Sequence, residues 1–332
     1  MKAIQFQPSS TIKAQLIDLP TPEAQGHDIL VQVEAIGLNP VDTKVRPGVG
    51  GDSAVLGYDT AGIVTMVGEQ VTLFKEGDPV FYAGDLTRPG TNSEFHLVDE
   101  RIAALRPQSL DAASSAALPL TSITAYESLF DRLKIDPDGA NSGQSLLIIG
   151  GAGGVGSIGI QLAKLAGLKV IATASRPESS QWCIDLGADH VVNHREPLQR
   201  QLKELGYETI DYIANYHNTD QYWDVMGEIV SPQGGIVLIV EPSGPVSFGD
   251  PLKRKSALIA WEFMFTRSMY ETHDMAKQNE LLTKIAQLVD EGKIKTTIHQ
   301  TFQPINADNL QEAHRIIELG QSIGKLVVKG WE

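Results

Sequence analysis

Glycines at 151, 153 and 156 stand in the order G-x-G-x-x-G, within Leu146-Leu147-Ile148-Ile149-Gly150-Gly151-Ala152-Gly153-Gly154-Val155-Gly156. The apolar run before them reads as a buried strand. Val155, Ile158, Leu162 and Ala166 after them form one helical stripe. Between a strand and a helix, such glycines let the backbone approach a pyrophosphate, and the helix N-terminus offers free N–H groups and the positive end of its dipole. On this reading Gly151, Ala152, Gly153, Gly154 and Val155 hold a dinucleotide. The alternative is a tight strand–helix turn that binds nothing. A nucleoside-triphosphate loop is excluded because Ser157 follows Gly156 where that motif needs lysine.

The next strand candidate, Lys169 to Ala174, ends in Ser175-Arg176-Pro177, and the first acid comes only at Glu178. A carboxylate at that strand end would accept from a ribose 2′-hydroxyl and repel a 2′-phosphate, whereas Arg176 can grip the phosphate with two N–H groups. Ser175 and Arg176 therefore point to NADPH over NADH. The competing explanation of Arg176 is a solvated loop cation.

Other reactive residue types form no comparable pattern. His190 and His194 are four apart, but in a strand and its exit, with no third ligand nearby, so a metal there is not expected. His96 is assigned to the domain surface. Cys183, the single cysteine, lies on an expected helix and reads as a buried core residue. It rules out an intramolecular disulfide and any multi-cysteine metal centre, and fits a reducing compartment. Lys253-Arg254-Lys255 reads as a solvated basic face. H-E-x-x-H does not occur, so metalloproteases of that class lack their signal.

The elements that must position these residues fall into two groups. The chain has 332 residues and a net charge of −14, from 27 Lys and Arg against 41 Asp and Glu. That length suggests two domains, and that charge argues against nucleic acid or anionic lipid as a partner. The N-terminal residues show no signal-peptide pattern, and Gly139 to Ala163 is too polar and glycine-rich for a membrane helix, so a cytoplasmic protein is expected. The first 120 residues carry short strands, among them Ile29–Ala35, Gly62–Val67 and Pro79–Tyr82, punctuated by residues such as Pro20, Pro22, Gly26, Gly48, Gly50, Gly51 and Gly77. Helices are expected over Ala112–Pro119 and Thr121–Leu133. From Ser145 strands alternate with helices, which predicts a parallel sheet with right-handed crossovers. The tail adds a strand near Ile298–Phe302, a helix over Asp308–Leu319 and a strand at Leu326–Val328.

Several motifs, in order along nearly the whole chain, resemble the medium-chain dehydrogenase/reductase superfamily: Gly37-Leu38-Asn39-Pro40-Val41-Asp42, Leu56-Gly57-Tyr58-Asp59-Thr60-Ala61-Gly62, Val67-Gly68, Gly77-Asp78-Pro79-Val80, Thr124-Ala125-Tyr126 and Gly153-Gly154-Val155-Gly156. Zinc members of that superfamily have cysteine where this chain has Asn39 and histidine where it has Tyr58, so the chain is similar to the zinc-less quinone reductases. Lys253–Ser256 and Trp261–Ser268 also resemble a branch named zinc-type alcohol dehydrogenase-like. The resemblance implies an α/β fold, with a GroES-like β-barrel domain over 1–122 and 298–332 and a doubly wound Rossmann domain over 123–297.

It also implies residue roles. Thr124 contacts the cofactor near the nicotinamide, His194 takes the place of a tyrosine that faces the 2′-phosphate, and Lys325, in Gly324-Lys325-Leu326, belongs to a cleft-lining segment counted with the cofactor contacts. Asn39 and Tyr58 become the catalytic candidates, as hydrogen-bond donors to an oxyanion. Asp42 and Asp59 are read as structural. Without a metal Lewis acid, hydride transfer favours an electron-poor acceptor, a quinone or an α,β-unsaturated carbonyl. A zinc alcohol dehydrogenase and a non-catalytic NADPH-binding sensor are the alternatives. Ile236–Val240 and Leu258–Trp261 are candidates for edge pairing in a homo-oligomer, a dimer or tetramer, although burial within one chain explains them equally.

Overall fold

A computed structural model describes residues 1–48 and 51–332; Gly50, one of the expected turn residues, lies outside them. The chain divides into two compact units, Met1–Ile123 with Phe265–Glu332, and Thr124–Met264.

The first unit opens with β1 (Lys2–Phe6), β2 (Ala14–Asp18) and β3 (Asp28–Gly37), followed by the short helix α1 (Pro40–Lys44) and by β4 (Ala54–Val55), β5 (Thr60–Val67), β6 (Pro79–Tyr82), β7 (Phe95–Asp99) and β8 (Ala103–Leu105). Antiparallel pairing of β3 with β5 sets Ile36 opposite Thr60, which brings the segment after β3 close to the residues before β5. The core under these strands holds Ile29, Val31, Val64, Val80, Tyr82 and Val98. His96, expected on the surface, is 5% exposed; its ring nitrogens meet the Tyr82 hydroxyl and the Pro89 carbonyl at 2.9 Å each. Burial pushes that imidazole down to about 4. Helix α2 (Ala112–Ala116) is capped by the Asp111 carboxylate, which accepts from Ser114 N at 2.8 Å. The second expected helix is divided: α3 (Pro119–Tyr126) runs into a π-helical turn over Glu127–Arg132.

The second unit is a six-stranded parallel sheet. Its strands are β9 (Ser145–Ile149), β10 (Lys169–Thr173), β11 (His190–Val192), β12 (Ile210–Asn215), β13 (Val230–Leu238) and β14 (Leu258–Trp261), connected by α4 (Gly154–Leu165), α5 (Pro177–Asp185), α6 (Leu198–Glu204) and α7 (Thr219–Ile229). The spatial order β11-β10-β9-β12-β13-β14 is that of a doubly wound sheet. Every residue of β9 is buried, which explains its unbroken apolar run Leu146–Ile149. Proline at the first turn opens α5, and Gly187 at φ +107° follows its end.

The chain returns to the first unit at Phe265, earlier than the 298 read from sequence. After the short α8 (Thr266–Met269), helix α9 (Lys277–Asp290) packs against β8. Asn279 donates to the Ala103 carbonyl at 2.5 Å, and the Asp290 carboxylate takes the Gln108 and Ser109 N–H groups at 3.1 and 2.9 Å. These contacts tie 265–297 to the first unit. Strand β15 (Ile298–Phe302), α10 (Ala307–Glu318) and β16 (Lys325–Lys329) follow, and β16 pairs with β3, Val327 opposite Gly37. No helix among the described residues is long and apolar enough to cross a membrane.

Candidate functional site

The glycine loop of the second unit is shaped by sterics. Gly150 has φ +84°, a conformation that disfavours any side chain. A Cβ on Gly151 would lie 2.7 Å from Ala172 Cβ, and one on Gly156 would lie 2.3 Å from Gly150 O, so strand, turn and helix approach as closely as glycine allows. Gly153 is the N-cap of α4, and no side chain caps that end. The first N–H groups of a twelve-residue helix are therefore available to an anion. Ser157 Oγ donates to Gly153 O at 2.7 Å and accepts from Trp182 Nε1 at 2.8 Å, which pins the first turn. Ala152 is buried, while Gly154 and Val155 are half-buried.

Parallel pairing sets Thr173 opposite Val192, so Ser175-Arg176 and His194 leave the carboxyl ends of adjacent strands. Ligands of doubly wound sheets bind at that end. Arg176 N-caps α5, its backbone N–H donating to Ser179 Oγ at 3.2 Å. The His194 imidazole is held below its ordinary value by burial and then by the positive fields of His217, Arg195 and Arg176. Sequence reasoning missed His217; its Cβ lies 3.6 Å from where a Cβ of Gly150 would be. The signal available was its place two residues beyond the end of β12. Thr124 is buried on α3. Cys183 is buried on α5, and burial pushes its thiol up to about 12.

In the first unit four polar side chains, all 3% exposed or less, form one network: Asn39, Asp42, Asp59 and Lys325. Asn39 is the N-cap of α1, and its backbone N–H donates to Asp42 Oδ2 at 2.7 Å. Its amide nitrogen donates to Asp59 Oδ2 at 3.0 Å. The Lys325 ammonium donates to Leu38 O at 2.8 Å, Asn39 Oδ1 at 2.5 Å and Asp59 Oδ2 at 2.8 Å. The other Asp59 oxygen accepts from Leu120 N at 3.0 Å. All three ammonium hydrogens are thus engaged within this unit. The structure places Lys325 with Asn39 and Asp59, a grouping that spacing could not show.

Burial pushes Asp59 upward against the pull of Lys325, and pushes Asp42, whose Oδ1 has no partner among the described residues, up to about 7. Tyr58 is buried, its ring meeting Phe265 edge-on at 5.7 Å, and burial followed by the charges of Asp42 and Asp85 pushes its phenol up to about 12.

Comparison with known proteins agrees with this architecture. Residues 25–104 match the alcohol dehydrogenase GroES-like domain, and residues 186–328 match the zinc-binding dehydrogenase family. A zinc-type alcohol dehydrogenase-like protein of Staphylococcus aureus is 47% identical over 93% of this chain and 92% of its own. A 2-methylene-furan-3-one reductase of Solanum lycopersicum is 32% identical over 92% of this chain and 73% of its own. Among solved structures, a Rhizobium etli protein assigned to the zinc-dependent alcohol dehydrogenases superposes with a TM-score of 0.94 at 46% identity, over 100% of this chain and 98% of that one. The quinone oxidoreductase of Escherichia coli, solved with NADPH, gives 0.83 at 27% identity over 99% and 100%. The chain belongs to the medium-chain dehydrogenase/reductase superfamily, with a GroES-like and a Rossmann-like unit, and is an oxidoreductase of that class.

The zinc in these family names does not fit the residues present. Asn39 Oδ1 is held by an ammonium, the Tyr58 phenol keeps its proton, and the one thiol is buried in the other unit. Among the described residues no three or more His, Cys, Asp or Glu side chains are grouped to hold a metal ion. A dication near Lys325 would also meet a fixed positive charge.

Proposed function

We propose that the protein is an NADPH-dependent reductase that delivers hydride, without a metal, to a quinone or an α,β-unsaturated carbonyl. The carrying observation is the Asn39–Asp59–Lys325 network, which puts an ammonium among the groups where a metal would need donors. Resemblance to a furanone reductase and a quinone oxidoreductase supports the acceptor class.

The nucleotide's pyrophosphate sits on Gly151, Ala152, Gly153, Gly154 and Val155, where the uncapped start of α4 offers backbone donors. Ser175, Arg176 and His194 receive the 2′-phosphate, supported by the absence of a carboxylate at 173–177 and by the charge around His194. Thr124 supports the nicotinamide end. When bound, the dihydronicotinamide supplies the hydride. Asn39 and Tyr58 donate hydrogen bonds to the oxygen that becomes negative, and Tyr58, whose phenol keeps its proton at neutral pH, can hand that proton over. Burial around these groups excludes water, which strengthens each hydrogen bond.

We also infer a homo-oligomer through β14. It ends the sheet with an unpaired edge among the described residues, and exposes Leu258 at 43% and Trp261 at 48%.

The function is tested by following NADPH oxidation with a panel of quinones and enones, in parallel with primary alcohols and NADP⁺, before and after treatment with a zinc chelator. Turnover with the first group, unaffected by chelation, is expected. Turnover confined to alcohols and lost on chelation would replace this reading with that of a zinc dehydrogenase.

A further inference from the structure

The buried ammonium has a role that packing does not explain. Lys325 is 3% exposed at the first residue of β16, and the Leu38 N–H bond to Leu326 O at 2.9 Å sets it beside Leu38 and Asn39. A buried charge pair is often no more stabilising than apolar side chains of the same volume, so replacing both Lys325 and Asp59 by apolar side chains would serve the core as well. The ammonium does, however, decide how the Asn39 amide is turned. Lys325 can only donate and the carboxylate of Asp59 can only accept. The amide oxygen must face Lys325 and the amide nitrogen must face Asp59, as observed at 2.5 and 3.0 Å. One hydrogen of that nitrogen is used by Asp59. The second has no protein acceptor among the described residues, although Asn39 is 1% exposed. A buried donor without a partner is rare and points to a ligand atom that completes it. A cation at the amide oxygen also draws electron density from the nitrogen and strengthens that remaining N–H as a donor.

We infer that Lys325 is the fixed cation of this site, a positioning residue that orients and polarises the Asn39 amide so that its free N–H holds the oxygen of a carbonyl acceptor during reduction. The inference rests on the reductase reading above. Hydride leaves the dihydronicotinamide with its electron pair and bonds to the acceptor carbon; the nicotinamide is oxidised. The acceptor's π pair shifts to its oxygen, which Asn39 holds until a proton arrives from Tyr58 or water. An acceptor that is already strongly electron-poor needs this help least, and a simple alkyl enone needs it most.

The test compares the wild type with Lys325→Met, Asn39→Ala and the double variant on two acceptors, a benzoquinone and a dialkyl enone. Lys325→Met should lower kcat on the enone by about 100-fold, the scale of losing one oxyanion donor, and on the quinone by about threefold, each measured at saturating NADPH. The double variant should be no slower than Asn39→Ala, because Lys325 acts through Asn39. Equal losses on both acceptors, or additive losses in the double variant, would overturn the inference and leave the reductase reading standing. If the wild type reduces neither acceptor, the reductase reading itself fails. Should Lys325→Met leave Asp59 uncompensated and fail to fold, Asp59→Asn/Lys325→Met removes the pair without a net charge. It should show the same acceptor dependence, and equal losses on both acceptors would again overturn the inference.

Discussion

The two units build their polar sites from opposite materials. In the Rossmann-like unit the polar groups at the glycine loop are backbone N–H donors, and the side chains around them are absent or small, so tolerance is set by ångströms of clearance. In the first unit the groups are four buried side chains, two acidic, one basic and one amide, so tolerance is set by charge balance. A substitution that is harmless by volume can be ruinous in the second setting, and one that is harmless by charge can be ruinous in the first.

The largest effect expected from this contrast is at Asp59. Asp59→Ala leaves the Lys325 ammonium buried without its carboxylate, and urea unfolding should show a loss of about 3–5 kcal/mol, the usual result of removing one partner of a buried pair. Asp59→Asn/Lys325→Met should recover most of that loss; if it does not, charge balance is not what governs this unit. Gly156→Ala adds one methyl group and no charge, yet its Cβ would lie 2.3 Å from Gly150 O. Calorimetric titration should show NADPH binding weakened at least about 100-fold, or about 2.7 kcal/mol.

A third test uses pH. His314 is buried, stacks on Phe6 at 4.4 Å, and is pushed by burial from 6.5 down to about 3. Its folded pKa is depressed, so the unfolded chain binds a proton that the native state refuses. The stability it contributes is complete above pH 6.5 and is lost as pH falls from there toward 3. His314→Phe should remove this dependence, narrowing the loss of unfolding free energy between pH 7 and 5 by about 2 kcal/mol. An unchanged pH slope would show that His314 takes up its proton as readily in the native fold as in the unfolded chain. The smallest effect is at Arg176. Arg176→Ala should weaken NADPH about tenfold, or about 1.4 kcal/mol, and leave NADH unaffected. Equal weakening of both would assign Arg176 to the loop's structure and not to the 2′-phosphate.

The same contrast explains how far the sequence could be read. The geometry of the glycine loop was legible because it lies in the backbone, and glycine spacing reports directly where the backbone must turn or approach. The parallel sheet was legible because a strand buried on both faces, such as Leu146–Ile149, reads as an unbroken apolar run. The network of the first unit was legible only in part. Asn39 and Tyr58 stood out by resemblance, but Asp59 and Lys325 are 266 residues apart, and no local pattern announces that they meet. His96 was misplaced for a related reason: a histidine on a strand reads as surface until its two partners, Tyr82 and Pro89, are brought round it. The return at Phe265 was missed because α9 is bound to the first unit by side chains such as Asn279 and Asp290, whose roles depend on what lies opposite.

Strand β16 carries the lysine that answers Asp59, 266 residues along the chain from it. Until that strand docks beside β3, the first unit has a carboxylate committed to its interior without the ammonium that pairs with it. Ordering of this half thus depends on the docking of β16, and a chain in which that strand has not docked carries an unbalanced charge in its interior.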